Sequence, residues 1–473
     1  MNNITLLILT LLFTQIKAIS QPCLPEGITF NTQAQIDNFQ TNHPNCTEIE
    51  GNVEINGNDI TNLNGLNVLT SIGGDIEISG NYILTNLMGL ENLTSIGGSF
   101  TIGVRGYSSQ GNPALSSLIG LDNLTSIGGN LIIEGTSVLT SLTGLENLTS
   151  VQGDLIIGYY HSYMSLYCTG NSSLLSLTGL ENLVYIGGSL EIYCNDALTS
   201  LTGLESLVSI EGDLKIGFYA WYFYGGAFHA GNPSLTSLSG LEGITSIGGD
   251  LNIMDNNALP DLSGLDNLSS IGGGLTIGTG FIEGGGGNQT LSSLMGLSNL
   301  TTIGGGLGIV GNPVLTSLSG LDNVNAESIS GLFIANNVTL STCEVESVCE
   351  YLANPGGEIE IHDNAPGCNS MIEVQTACDS ITSVEELNFK EKFTISPNPL
   401  ESGSIIEYTL HQNSPVTLKI LDLSGRSFRT LVNEYQPKGE QRIECNTTAL
   451  PAGIYFCTLK TNERIQTRKI IKL

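Results

Sequence analysis

Leu139-Thr-Ser-Leu-Thr-Gly-Leu-Glu-Asn-Leu-Thr-Ser-Val151 is one copy of a unit that the chain repeats over residues 51–340. Its Gly-Leu pair recurs at Gly65, Gly89, Gly120, Gly144, Gly179, Gly203, Gly240, Gly264, Gly296 and Gly320, with spacings of 24, 31, 24, 35, 24, 37, 24, 32 and 24. A fixed 24-residue unit marks a solenoid, because one unit cannot bury its apolar face alone and must stack on copies of itself. Every second turn is enlarged, and the extra residues always enter just after the Leu-x-Ile segment. The enlarged loops, 103–111, 158–170, 217–231 and 278–288, are therefore expected on one edge, two turns or roughly 10 Å apart.

Within the unit the apolar residues fall in three short groups: Leu-x-x-Leu before the Gly-Leu pair, Leu-Thr-Ser-Ile after it, then Leu-x-Ile behind a Gly-Gly step. Each group is strand-length and none has helical spacing, which predicts about three short strands per turn. Gly97-Gly98, Gly128-Gly129 and Gly311-Asn312-Pro313 suit the corners. Exposed ends of such a stack invite aggregation. Asn31 to Asn42, with Ile36 and Phe39 at helical spacing, is expected to cover the first end. A helix capped by Thr342, with Val345, Val348, Cys349 and Leu352 on one face, is expected to cover the last.

Outside the repeat, residues 1–20 read as a secretory signal: Leu6 to Phe13 is apolar but too short to span a bilayer, and Ala18-Ile19-Ser20 supplies small residues for cleavage. No other segment is long and apolar enough to span. Residues 21–389 hold 37 acidic side chains against Arg105 and Lys215, a net charge near −35, whereas 390–473 are near +4. So acidic a body repels phosphate backbones and anionic lipid, which excludes nucleic acid and membrane surfaces as its partners and leaves uncharged or cationic ligands.

Ten cysteines beyond the signal suggest disulfides in an exported chain. Cys23 and Cys46 bracket the first cap, Cys168 and Cys194 lie at matching corners of adjacent turns, and Cys445 and Cys457 fall in the tail; these three isolated pairs are expected to bond. Cys343, Cys349, Cys368 and Cys378 follow the last turn with their connectivity open.

The string Gly-Leu-Asp-Asn-Leu-Thr-Ser-Ile-Gly-Gly-x-Leu-x-Ile at Gly120 to Ile133 resembles the receptor L-domain, a leucine-rich-repeat-like right-handed β-helix. The resemblance covers residues 51–340 and implies fold but no site, since the repeat residues are structural. From Phe393 the composition changes, and Ile405 to Leu410 and Val416 to Leu421 alternate as strands of a small sandwich. Ser396-Pro-Asn-Pro399, Leu421-Asp-Leu-Ser-Gly-Arg426, Leu450-Pro-Ala-Gly-Ile-Tyr-Phe456 and Lys469-Ile-Ile-Lys-Leu473 resemble the type A carboxy-terminal sorting domain of the type IX secretion system. That resemblance implies passage across the outer membrane on the type IX machinery, to a secreted or cell-surface location. The expected architecture is all-β: a solenoid of ten to eleven rungs over 51–340, with disulfide-stapled helical caps at 21–50 and 341–380. A linker at 381–392 and the sorting domain at 393–473 follow.

Chemistry in the repeat is sparse. The acidic residue that follows Gly-Leu in eight of the ten turns, at Glu91, Asp122, Glu146, Glu181, Glu205, Glu242, Asp266 and Asp322, reads as a solvated corner, because the Gly-Gly-x-Gly-x-Asp calcium roll is missing. The Asn that follows it reads as a ladder within the turn. The hydroxyls at Thr70, Thr94, Thr125, Thr149, Thr245, Ser269 and Thr301 form a column that Val184 and Val208 interrupt, which argues against an ice-binding face. No metalloprotease, hydrolase or phosphate-loop motif is present, and the five histidines are scattered. No cofactor and no metal site is expected.

The informative residues are in two enlarged loops, which hold 11 of the chain's 29 aromatics and its single Trp. Trp221, Tyr222 and Tyr224 would supply stacking area, Tyr159, Tyr160 and Tyr163 a neighbouring wall, and His161 and His229 hydrogen bonds. Mutual packing of the loops over the solenoid edge is the plainer reading of the same residues. The expected function is noncatalytic ligand binding or adhesion, with a glycan or extracellular protein as ligand. A structural coat protein is the alternative, and a carbohydrate-active enzyme the third.

Overall fold

The computed structural model describes residues 22–103, 111–161, 167–222, 226–279, 287–383, 393–400, 404–410, 412–422, 426–445, 450–461 and 465–472, with side chains at 160–161, 167, 220–222, 226–227, 381–383 and 465 outside the described set. The chain forms two compact units that divide between Asp379 and Ser380.

Eleven turns of the first unit contribute one short strand to each of two parallel sheets, and the last two strands, Gly331–Ala335 and Ile359–His362, extend the larger sheet alone. The 11-stranded sheet begins at Pro22–Cys23 and ends at Thr302–Ile303; the 13-stranded sheet runs from Ile28–Phe30 to Ile359–His362. Identical residues stack on identical residues: Leu131, Leu155, Leu190, Leu214, Leu251 and Leu275 are successive partners in the larger sheet. That register buries one apolar column and leaves its alternate positions in a second column on the other face.

Two strands per turn, rather than three, is a correction to the expected rung. Leu-x-x-Leu and Gly-Leu form a series of tight turns in which every third residue points inward. Leu115, Leu118, Leu121 and Leu124 are all fully buried, with Leu121 N–H donating to the Leu118 carbonyl at 3.2 Å and Leu124 N–H to that of Leu121 at 2.8 Å. A period of three belongs to neither a strand nor an α-helix, and it escaped a reading that offered only those two. The Gly of the Gly-Leu pair makes the path feasible: Gly120 sits at φ +114° with the Leu87 carbonyl against it. A side chain there would be strained and obstructed.

A buried asparagine column closes the corner after the larger sheet. Asn195 Nδ2 donates to the carbonyls of Ile157 and Tyr193, each at 2.9 Å, and its Oδ1 accepts from Asn171. The same contacts recur from Asn81 through Asn112, Asn171, Asn232, Asn256, Asn288, Asn312 and Asn337 to Asn364, with Thr136 substituting in one turn. An amide is the only neutral side chain with two donors and an acceptor, so it satisfies backbone groups that a buried corner would otherwise leave unpaired.

The outer columns are also internal. Asp122, Glu146, Glu181, Glu205, Glu242, Asp266 and Asp322 each accept from the N–H of the Gly two residues earlier, at 2.7–3.1 Å. The following Asn joins consecutive turns rather than bracing its own: Asn182 Nδ2, for example, donates to the Glu146 carbonyl at 2.7 Å. The column hydroxyls point at the carbonyl of the previous turn, as Thr125 does to Thr94 at 2.9 Å.

Both ends are capped. At the first, α1 (Gln33–Asp37) and α2 (Phe39–Asn42) bury Ile36 and Phe39, and Thr32 with Gln35 forms a capping box. At the last, α3 (Glu346–Ala353) starts from Val345, which provides no side-chain cap. Thr342 is not its cap; it pairs as a bridge with Ser317, because the chain is still following the solenoid at that point. Disulfides join Cys23 to Cys46, Cys168 to Cys194, Cys343 to Cys368 and Cys349 to Cys378, the last anchoring α4 (Met371–Ser383).

The second unit is an antiparallel sandwich of a three-stranded and a four-stranded sheet around Ile406, Tyr408, Leu418, Ile420 and Ile470. Cys445 and Cys457 are buried free thiols, contrary to the expected bond. They lie on strands Gly439–Cys445 and Gly453–Lys460, which belong to different sheets rather than being neighbours. Burial pushes the Cys457 thiol up to about 12.

Two measurements follow from this architecture. Asn195→Ala orphans several buried backbone groups and is expected to cost about 3 kcal/mol or more, against about 1 kcal/mol for the exposed Asn182→Ala, in urea denaturation of the full chain. Thiol titration of the unreduced chain in denaturant should count two thiols, both unreactive in the native state.

Candidate functional site

Insertion between a sheet strand and its ladder Asn leaves the closure of the turn intact, so long loops are tolerated there. Short and long versions alternate: Ile192 is followed by Tyr193-Cys194-Asn195, whereas between Ile157 and Asn171 the chain runs out and back as a hairpin. The first hairpin pairs Tyr159–His161 with Tyr167–Thr169, and the second pairs Tyr219–Tyr222 with Gly226–His229, both antiparallel.

The residues expected to bind ligand divide accordingly. Tyr159 is half-buried at the base of the first hairpin, opposite Thr169. Tyr160 and His161 lie on its outgoing strand, and Trp221 and Tyr222 on that of the second, with side chains outside the described set. Tyr163 and Tyr224 lie outside the described residues. His229 ends the second hairpin with 45% of its side chain exposed. Other aromatics in these loops serve packing: Tyr219 is 4% exposed, and Phe218 and Phe228 lie against Tyr193, Cys194 and Ala230.

Along the base of the hairpins runs a cleft of about 540 Å³. Its floor takes one residue from each of six successive turns, Pro113, Ser137, Ser172, Asp196, Pro233 and Asn257, immediately after the ladder position. At a turn spacing of about 4.8 Å it is about 24 Å long. Cys168, Thr169, Cys194, His229 and Asp255 line it as well.

The polar centre of the cleft is a histidine–aspartate pair. His229 Nδ1 lies 3.0 Å from Asp255 Oδ1, and its ring meets Tyr219 edge-on with centroids 5.1 Å apart. Asp255 is 3% exposed and accepts from Gly231 N–H at 3.2 Å and Asn257 Nδ2 at 3.3 Å. With Nδ1–H given to this carboxylate, the neutral imidazole keeps Nε2 as an acceptor. Asn257 Oδ1 is buried and has no hydrogen-bond partner among the described residues. Asp255 and Cys194 both occupy the left-handed region, at φ +57° and +58°. An Asp tolerates that conformation; a Cys rarely does, and the bond to Cys168 holds it. Beneath the first hairpin, Glu134 is fully buried and accepts a hydrogen bond from Thr169.

Asp255, Asn257, Ser137, Ser172 and Asp196 were absent from the expected site. Their signal was positional: each stands next to the ladder position, an asparagine in every case but Thr136 beside Ser137, a regularity that becomes meaningful only once that position is known to close the corner. Among the described residues no group of three His, Cys, Asp or Glu is arranged to hold a metal, and no helix is long and apolar enough to cross a membrane.

Two parts of the chain match known families. Residues 394–473 match the secretion system C-terminal sorting domain, and residues 45–109 match the receptor L domain. A search of curated proteins with the whole chain gave no match. The sorting domain, of the type IX secretion system, directs export to the secreted or cell-surface compartment, and the receptor L domain is consistent with a ligand-binding role for the solenoid.

Burial raises the Asp255 pKa, with the hydrogen bond to His229 opposing the shift. Folding therefore favours its protonated form. Its stabilising contribution is greatest below the ordinary carboxylate value of about 4 and is lost as pH rises through the higher folded value. The stability of the wild-type chain relative to Asp255→Asn, measured by denaturation across pH 3.5–7.5, is expected to fall as pH rises through that window. A pH-independent difference would contradict the assignment.

Proposed function

We propose that the solenoid is a noncatalytic binding module whose cleft takes an uncharged glycan chain lying along the solenoid axis. The observation that carries this reading is the form of the cleft: a trough six turns long, floored by small polar residues and prolines and bordered by two hairpins rich in aromatics. Small-molecule pockets are compact, whereas an extended trough suits a linear polymer. His229 offers an acceptor for hydroxyl donors, and Ser137 and Ser172 offer hydroxyls that both donate and accept. The acidic body disfavours polyanionic sugars.

The noncatalytic part of the proposal rests on chemistry around His229. Its pairing with Asp255 resembles the base half of a nucleophilic triad, yet the cleft's two cysteines are bonded to each other and its Ser137 and Ser172 hydroxyls donate to the Pro113 and Ser137 carbonyls rather than to the imidazole.

The test is binding of the full chain to a panel of neutral, amino and acidic polysaccharides, alongside Trp221→Ala, Tyr160→Ala and Asn257→Ala. Selective binding of a neutral glycan is expected, weakened about tenfold or more by Trp221→Ala with the thermal midpoint preserved. Equal binding by all four proteins, or release of reducing ends from the bound glycan, would overturn the reading.

A further inference from the structure

A second cavity, of about 590 Å³, lies on the outward face of the 13-stranded sheet near its last turns. Here the outward column reads Thr276, Gly308, Phe333, Glu360 on neighbouring strands. Its glycines set it apart. Gly306, Gly308 and Gly331 have extended backbones, and a Cβ on each would find its nearest neighbour at 3.6–3.7 Å, an ordinary contact. Among the described glycines of the first unit, Gly226 on the second hairpin aside, every other one has a positive φ or a neighbour at 3.1 Å or closer. Glycine in a strand interior weakens the strand unless another group must approach the backbone. Three strand glycines without a steric reason to be glycine line the same cavity.

What they leave open is a flat backbone floor with an aromatic ring beside it. Phe333 is half-buried, and His362 meets it edge-on at 6.0 Å. The rim is anionic: Asp250, Glu358 and Glu360 are exposed and line the cavity, and no Lys or Arg does. Asp250 Oδ1 already accepts from Gly274 N–H at 2.7 Å, and Glu360 lies 4.0 Å from His362 Nε2.

We infer that this shelf is a binding site for an ammonium or guanidinium group on a small ligand or peptide side chain. The cation would lie against the Phe333 ring over the floor made by Gly306, Gly308 and Gly331, with Glu358 and Glu360 as its counter-charges. A cation is favoured over the neutral sugar proposed for the loop edge because an aromatic face and carboxylates both attract positive charge. The volume is in the range of small-molecule sites, about 300–1,000 Å³. The site is on a sheet face rather than the hairpin edge, so it stands or falls independently of the glycan cleft.

The test uses singly charged N-acetyl-arginine methylamide as probe on the full chain, followed by titration NMR, with the glutamate counterpart and a neutral trisaccharide as controls. Saturable binding of the arginine probe and none of the glutamate probe is expected, with any trisaccharide binding unchanged by the shelf variants. Gly308→Val, which a strand accommodates readily, raises the floor and should weaken binding tenfold or more; Phe333→Ala and Glu360→Gln should each weaken it at least threefold. Glu54→Gln with Glu77→Gln removes two carboxylates from the same sheet column at its opposite end and should change nothing. If Gly308→Val does not fold, the other two variants decide. No saturable binding, equal binding of the glutamate probe, trisaccharide binding lost in Gly308→Val, or equal loss in the distant double variant would each overturn the assignment.

Discussion

A hydrogen bond repeated once per turn, from a buried asparagine amide to the backbone of the strand behind it, is the constraint on which the solenoid depends. A coil with two short strands per turn has buried corners, and a buried corner exposes N–H and C=O groups to a medium that cannot solvate them. Asn81 through Asn364 meet that demand in series, each also accepting from its predecessor in most turns. The networked arrangement ties consecutive turns together more tightly than the side-chain packing of leucines alone.

That device explains where variation is permitted. Because the ladder residue closes each turn, the chain between strand and ladder is free to range from two residues to fifteen, and four of the turns use that freedom. The remaining surfaces are committed elsewhere: acidic side chains hold the glycine N–H groups, and the column hydroxyls and outer asparagines join one turn to the next. What is left for recognition is the hairpin edge and the outward sheet face, and the two differ in chemistry. The edge is long, hydroxyl-bearing and aromatic; the sheet shelf is short, flat and anionic.

Much of this was legible in the chain itself. The 24-residue interval, the alternation of loop lengths, the capping segments and two of the three isolated disulfides are covalent or periodic features, which sequence displays directly. The leucine side was misjudged because Leu115, Leu118, Leu121 and Leu124 follow a period of three, and the two familiar periods compete to explain it. Thr342 looked like a helix cap because residue type alone cannot tell whether the chain is still in register with the solenoid. Cys445 and Cys457 looked like a pair because they stand alone in the tail, while the assignment of their strands to separate sheets is a long-range fact. The His229–Asp255 pair spans 26 residues and a loop of variable length, so no local pattern announces it. The aromatics were correctly seen as concentrated, yet the division between packing residues such as Tyr219 and Tyr193 and those on the hairpins depends on which turn lies beneath each ring.

The central claim, that recognition belongs to the loop-bearing edge, is tested most directly by amide hydrogen exchange on the full chain with and without a saturating neutral oligosaccharide. The account predicts added protection confined to the two hairpins, 158–170 and 217–231, to the short turn between them at 193–196, and to the short turns flanking them at 134–137 and 254–257. Protection centred on the tight-turn leucine side or on the sheet faces, with the hairpins unchanged, would contradict it.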